Sequence, residues 1–365
     1  MRHWTSLIGV VAIVGCENTS ALPDARTTHD ASMPPAMDAG PRDAPMPPAV
    51  DAASSGADAA ISEFDDAFTV ASDAGTPVLD LPSMRGPFVV TPSMATVTRD
   101  ARTTNVRVFL PTLPSGTRAP LVLFMPGFQL NSGQYAITLE HLASHGFVVL
   151  GADAPGTLFS VNHVEMAADG RAVIDWATST APFASSVDAS LIGATGHSLG
   201  GKLATLITMD DARIDALLGI DPIDGDPSPL GGGSPDRPDL VPSRGSAVTV
   251  PAGFLGETVS AAGGFMPCAP AAQNFTQFYM ATTAAPWAAQ WDMTGADHMD
   301  FLDDPAACGF TCSVCTDGPA VDASVVANTR TLTTAFFRRH LRAEVGMDAY
   351  LIGASIPMGA VGMHR

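Results

Sequence analysis

Leu191-Ile192-Gly193-Ala194-Thr195-Gly196-His197-Ser198-Leu199-Gly200-Gly201-Lys202 is the stretch on which the architecture turns. It begins as a short apolar run, the pattern of a strand buried on both faces of a parallel sheet. It then turns within a few residues, and from Gly200 to Met209 the apolar positions fall at helical spacing. Strand, tight turn and helix in direct succession form the repeating unit of an α/β protein. The unit recurs on both sides. Upstream, Leu121 to Met125 and Phe147 to Leu150 are further short apolar runs, with helical stretches at Ser132 to Ser144 and Glu165 to Thr178. Downstream, Ala216 to Ile220, Val248 to Leu255 and Ala289 to Met293 read as strands, and Val321 to Leu341 as a closing helix. Phe88 to Val97 and Asn105 to Leu110 alternate β-branched and polar residues, as antiparallel strands near a sheet edge do. The expected fold is α/β, a mostly parallel central sheet with helices on both faces.

Two stretches interrupt the rhythm. Pro222 to Gly245 is rich in Pro, Gly and Asp and reads as a long loop at the strand ends, where loops line active sites. Asp300 to Gly318 holds three cysteines and is expected to be ordered by cross-linking.

The turn itself carries chemistry. Gly-x-Ser-x-Gly between a strand and a helix lifts the serine hydroxyl clear of the sheet and aims the helix N-terminus at a developing oxyanion. Ser198 is thus the candidate nucleophile, and the N–H of Leu199 is one candidate oxyanion donor. A second donor is expected from the loop after an earlier strand, Met125-Pro126-Gly127-Phe128-Gln129, with the Phe128 N–H best placed. A serine hydroxyl needs a base. In this strand-turn-helix arrangement the histidine follows the acid, which leaves His298, His340 and His364. His340 lies in the charged run Arg338-Arg339-His340-Leu341-Arg342 and His364 one residue from the end, so both read as solvated. His298 follows the last strand, where a base belongs. For the acid, Asp221 ends the Ala216 to Ile220 strand, with Asp224 and Glu257 as rivals. The chemistry asks for no cofactor or metal.

The chain has 365 residues and a formal charge of −19, with 18 Lys and Arg in all, which excludes nucleic acid as a partner. Residues 17–80, dominated by Ala, Asp, Pro, Ser and Met, read as a disordered acidic tether, and residues 81–365 as one catalytic domain. Residues 1–16 read as an export signal: Arg2 and His3, then an apolar run from Leu7 to Val14 too short to span a bilayer. Ile13-Val14-Gly15-Cys16 resembles a bacterial lipobox, which implies lipidation at Cys16 and anchoring to the cell envelope, with plain secretion as the alternative; a monomer is the expected state. Export leaves Cys268, Cys308, Cys312 and Cys315, read as two disulfides of open pairing, with a four-cysteine zinc site as the alternative.

Several strings together resemble the chlorophyllase family of α/β-hydrolases. They are Phe124-Met125-Pro126-Gly127-Phe128, Leu142-Ala143-Ser144-His145-Gly146-Phe147-Val148-Val149, Gly196 to Lys202, Gly219-Ile220-Asp221-Pro222-Ile223-Asp224-Gly225, Pro267-Cys268-Ala269-Pro270 and His298-Met299-Asp300-Phe301-Leu302-Asp303-Asp304. The resemblance implies the α/β-hydrolase fold, a Ser, Asp, His triad carried onto Ser198, Asp221 and His298, and hydrolysis of a hydrophobic ester, in that family the phytyl ester of chlorophyll. Leu199 stands where the family usually has Arg, and Pro126 where it usually has His. The Pro-Gly-aromatic loop is instead similar to bacterial cutinases and polyester hydrolases, which implies polyesters or acylglycerols as alternative substrates. A surface binding protein that keeps the fold without turnover is the reading from another class.

Overall fold

A computed structural model describes residues 80–156, 161–225, 233–262, 267–304 and 313–365. The signal segment, Cys16 and the tether up to residue 79 lie outside the described residues, as do Cys308 and Cys312. Asp80, assigned from sequence to the tether, is part of the globular region: its carboxylate meets His145 Nδ1 at 2.8 Å and Arg338 Nη1 at 3.1 Å.

Among the described residues nine strands form one sheet, in the spatial order Val90–Arg99 (β1), Arg102–Pro111 (β2), Val148–Asp153 (β4), Ala119–Met125 (β3), Val187–His197 (β5), Ile214–Ile220 (β6), Ala252–Gly256 (β7), Ala288–Met293 (β8) and Ala360–His364 (β9). The strands β1 (Val90–Arg99) and β2 (Arg102–Pro111) make an antiparallel hairpin, and β2 runs antiparallel to β4 (Val148–Asp153). From β4 through β3 (Ala119–Met125), β5 (Val187–His197), β6 (Ile214–Ile220), β7 (Ala252–Gly256) and β8 (Ala288–Met293), every pairing is parallel. A last strand, β9 (Ala360–His364), closes the far edge antiparallel to β8.

The uninterrupted apolar strands are explained by two cores. Leu121, Leu123 and Met125 of β3 enter one, and Val122 and Phe124 enter the other, as a side-chain period of two requires. The first core packs α2 (His163–Ser179), α3 (Leu199–Asp210) and α4 (Phe275–Ala281) on one face of the sheet. The second packs α1 (Ala136–Ser144), α5 (Asp322–Leu341) and α6 (Asp348–Leu351) on the other. This is the α/β-hydrolase arrangement expected from the sequence.

Three local expectations change. The predicted strand from Val248 begins only at Ala252, because Pro251 has no N–H for the ladder. The helical stretch from Ser132 starts as a 3-10 turn over Ser132–Tyr135, capped by Asn131, before α1. His340 is not solvated: its ring lies 4.5 Å from that of Trp287 and 4.7 Å from that of Phe336, and burial lowers its pKa to about 4. His364 is exposed on β9.

Candidate active site

Ser198 joins β5 to α3 with φ 56° and ψ −123°, a left-handed backbone that a residue with a Cβ adopts at a cost of about 1–3 kcal/mol. Of the five non-glycine residues with positive φ among those described, three lie around this turn: Gln129, Ser198 and Asp221. The flanking glycines answer a shortage of space. A Cβ on Gly200 would collide with the backbone carbonyl of Met125 at the end of β3, and one on Gly196 with the carbonyl of Gly200. Without those atoms the helix start packs directly onto the sheet.

The carboxyl ends of the parallel strands then bring three side chains together. Ser198 Oγ lies 2.8 Å from Nε2 of His298, in the loop after β8. His298 Nδ1 lies 2.6 Å from Oδ2 of Asp221, the residue after β6. A carboxylate only accepts, so Nδ1 carries the proton and Nε2 offers its lone pair to the serine hydroxyl. Asp221 is fully buried, and its other oxygen accepts the Glu257 N–H at 3.3 Å.

The histidine loop is held by its own acids. Asp297 accepts from the N–H groups of Met299 and Gly318, both at 2.8 Å, and Asp300 accepts from Asp297 N–H at 2.9 Å. Ser260, after β7, accepts the His298 N–H at 3.1 Å and donates its own N–H to Glu257 at 2.8 Å. Sequence reasoning passed over Ser260, and nothing in its neighbourhood marks it: it is a small polar residue in a loop 38 positions away.

Of the three candidate acids, Asp221 is the one hydrogen-bonded to the imidazole. Asp224 faces Lys202, whose Nζ lies 3.0 Å away, and accepts from the N–H groups of Leu240 and Val241 at 2.8 Å. Lys202 is fully buried in α3. A lysine in the apolar run from Leu199 to Thr208 is a sequence signal in itself, since a buried cation requires an acidic partner. Glu257 sits beside Asp221, its pKa pushed up to about 8 by burial and then by the neighbouring Asp221 charge. Asp221, Glu257 and His298 are also the described residues whose ligand-type atoms cluster, within 4.8 Å of one another. A metal there would have to displace the hydrogen bond between His298 and Asp221.

Phe128 and Leu199, the two candidate oxyanion donors, both border a cavity of about 230 Å³. Leu130, Val161, Met166 and Leu203 give it apolar walls, and Asp153 adds a carboxylate already engaged by Ser132. Among the described residues, no backbone carbonyl accepts from either amide. Of the four cysteines expected to pair, Cys268 and Cys315 are bonded to each other. That removes two of the four thiolates a zinc site would need.

A family model described as Chlorophyllase matches residues 85–355. Chlorophyllase-1 of Arabidopsis thaliana is 29% identical over 66% of this chain and 76% of its own length. Chlorophyllase-2 of the same plant is 27% identical over 51% of this chain and 61% of its own length. The chloroplastic Chlorophyllase-1 of Citrus unshiu is 27% identical, over 50% and 56% respectively.

Proposed function

The chain belongs to the chlorophyllase family of carboxylic ester hydrolases, and from that premise we propose that it cleaves hydrophobic esters through a serine nucleophile. The observation that carries the reading is the continuous hydrogen-bonded series from Ser198 through His298 to Asp221. Ser198 Oγ attacks the ester carbonyl while Nε2 of His298 takes its proton. Asp221 holds the imidazole in the productive tautomer and stabilises the imidazolium. Negative charge on the carbonyl oxygen is received by the N–H groups of Phe128 and Leu199; loss of one such donor typically raises the barrier by about 3–4 kcal/mol. The imidazolium then returns the proton to the alcohol oxygen, which departs and leaves an acyl-serine. Water, deprotonated by the same imidazole, attacks the acyl carbon, and the imidazolium returns that proton to Ser198 Oγ as the acid is released.

The test is Ser198→Ala. This variant should keep the wild-type fold by circular dichroism, lose hydrolysis of p-nitrophenyl esters and lose labelling by a fluorophosphonate probe. Retained turnover would overturn the reading. An unlabelled wild type would favour a binding protein that merely has the fold.

Pro126 and Leu199, which depart from the family's usual residues, favour a second substrate reading: polyesters or acylglycerols. Chlorophyllide release, short p-nitrophenyl ester hydrolysis and polyester film erosion, measured side by side, rank the two. The Cys268–Cys315 disulfide supports export to an oxidising compartment, and Cys16 is our proposed lipid attachment point, holding the enzyme at a membrane surface.

A further inference from the structure

Two buried side chains outside the triad connect its parts. His197 precedes the nucleophile and is fully buried; Tyr135, the last residue of the 3-10 turn before α1, is 1% exposed. Nε2 of His197 lies 2.9 Å from the backbone carbonyl of His298, and Nδ1 lies 2.8 Å from the Tyr135 hydroxyl. The Tyr135 oxygen in turn receives the Gly127 N–H at 3.4 Å. Only one direction satisfies every group. A carbonyl cannot donate, so Nε2 of His197 carries the proton; Nδ1 of the neutral ring then accepts from Tyr135 O–H, leaving the Tyr135 oxygen to accept from Gly127.

The ring must be neutral for this chain to exist. Burial, reinforced by the nearby His298, holds the His197 pKa well below its ordinary value. The rings of His197 and His298 are 4.8 Å apart, so a charge on His197 would also oppose the imidazolium that turnover requires.

The two ends of the chain reach the two moving parts of the chemistry. Gly127 immediately precedes Phe128, the proposed second oxyanion donor, and packs so closely on the turn that a Cβ there would lie 3.3 Å from the Cβ of Ser198. The His298 carbonyl belongs to the base itself. We propose that Tyr135 and His197 form one positioning unit that keeps the Phe128 N–H and the His298 imidazole in register with Ser198. Neither side chain touches substrate. The proposal rests on the serine hydrolase reading above.

Full-length wild type, Tyr135→Phe, His197→Gln and the double variant are compared by the rate of fluorophosphonate labelling and by steady-state hydrolysis of p-nitrophenyl butyrate. Tyr135→Phe removes one oxygen and keeps the ring. It should lower both the labelling rate and kcat about tenfold while KM stays within about twofold, the signature of stabilisation lost in the transition state alone. Because the two residues act in series, the double variant should fall no more than about threefold below the weaker single variant. Wild-type labelling and kcat in Tyr135→Phe would overturn the proposal, as would a rise in KM alone or fully multiplicative losses in the double variant. Should either single variant fail to fold, the other carries the same comparison. A wild type not labelled at Ser198 would instead refute the hydrolase reading, so the two failures are distinguishable.

Discussion

Glu257 and Asp221 put two buried carboxyl groups side by side behind one imidazole, and the pair divides the labour. Asp221 is bonded to His298 and accepts the Glu257 N–H; Glu257 ionises only near pH 8. A carboxyl whose folded pKa lies above its unfolded value binds its proton more tightly in the native state. Its contribution to stability is complete below about pH 4.5 and is lost as pH rises toward 8, by an amount on the order of a few kcal/mol. Glu257→Gln is neutral at every pH, and its amide oxygen can still accept the Ser260 N–H. The variant should therefore melt at a higher temperature than wild type at pH 8.5 and at nearly the same temperature at pH 4.5; a difference that did not grow with pH would refute this account. Sequence brought Asp221, Asp224 and Glu257 forward together. It ranked Asp221 first without eliminating the others, because the partner that claims Asp224 is Lys202, 22 residues earlier and brought near it only by the packing of α3.

Among the elements, those with strong local signals were legible and those that depend on neighbours were not. Apolar runs in β3, β4, β5 and β6 and the long α5 announce themselves. The short α4 has three aromatics in seven residues, Phe275, Phe278 and Tyr279, and becomes a helix because they enter the first core; its Asn274 cap is the one local cue. Edge strand β9, with Ala360 half-buried and the rest exposed, forms because β8 offers it an unpaired edge. The Cys268–Cys315 bond ties the segment after β7 to the segment after the histidine loop. The 47-residue separation implies a stabilisation of about 2–4 kcal/mol from restricting the unfolded chain. Cys268→Ser/Cys315→Ser should lose that much in a denaturant titration, with kcat falling because the His298 loop loses its brace. An unchanged midpoint would contradict this.

For the molecule as a whole, the proposed anchor separates location from catalysis. Cys16→Ser should move the enzyme from the membrane fraction to the soluble fraction and leave its specific activity on p-nitrophenyl esters unchanged; continued membrane association would refute lipidation at Cys16. Among the described residues, no helix is long and apolar enough to cross a membrane. What the sequence determined alone was whatever short range can encode. Glycines that permit a helix to touch a sheet fix the turn at Ser198, apolar runs of strand length fix a parallel sheet with two covered faces, and order along the chain narrows the candidate bases to three, of which His298 follows the last parallel strand. What the tertiary structure decided were the pairings: Asp221 with His298 across 77 residues, His298 with Ser198 across 100, and Tyr135 with His197 across 62. The reason is physical. A hydrogen bond depends on ångström-scale separation and direction, which only the packed sheet supplies, whereas a strand or a tight turn is set by the residues within it.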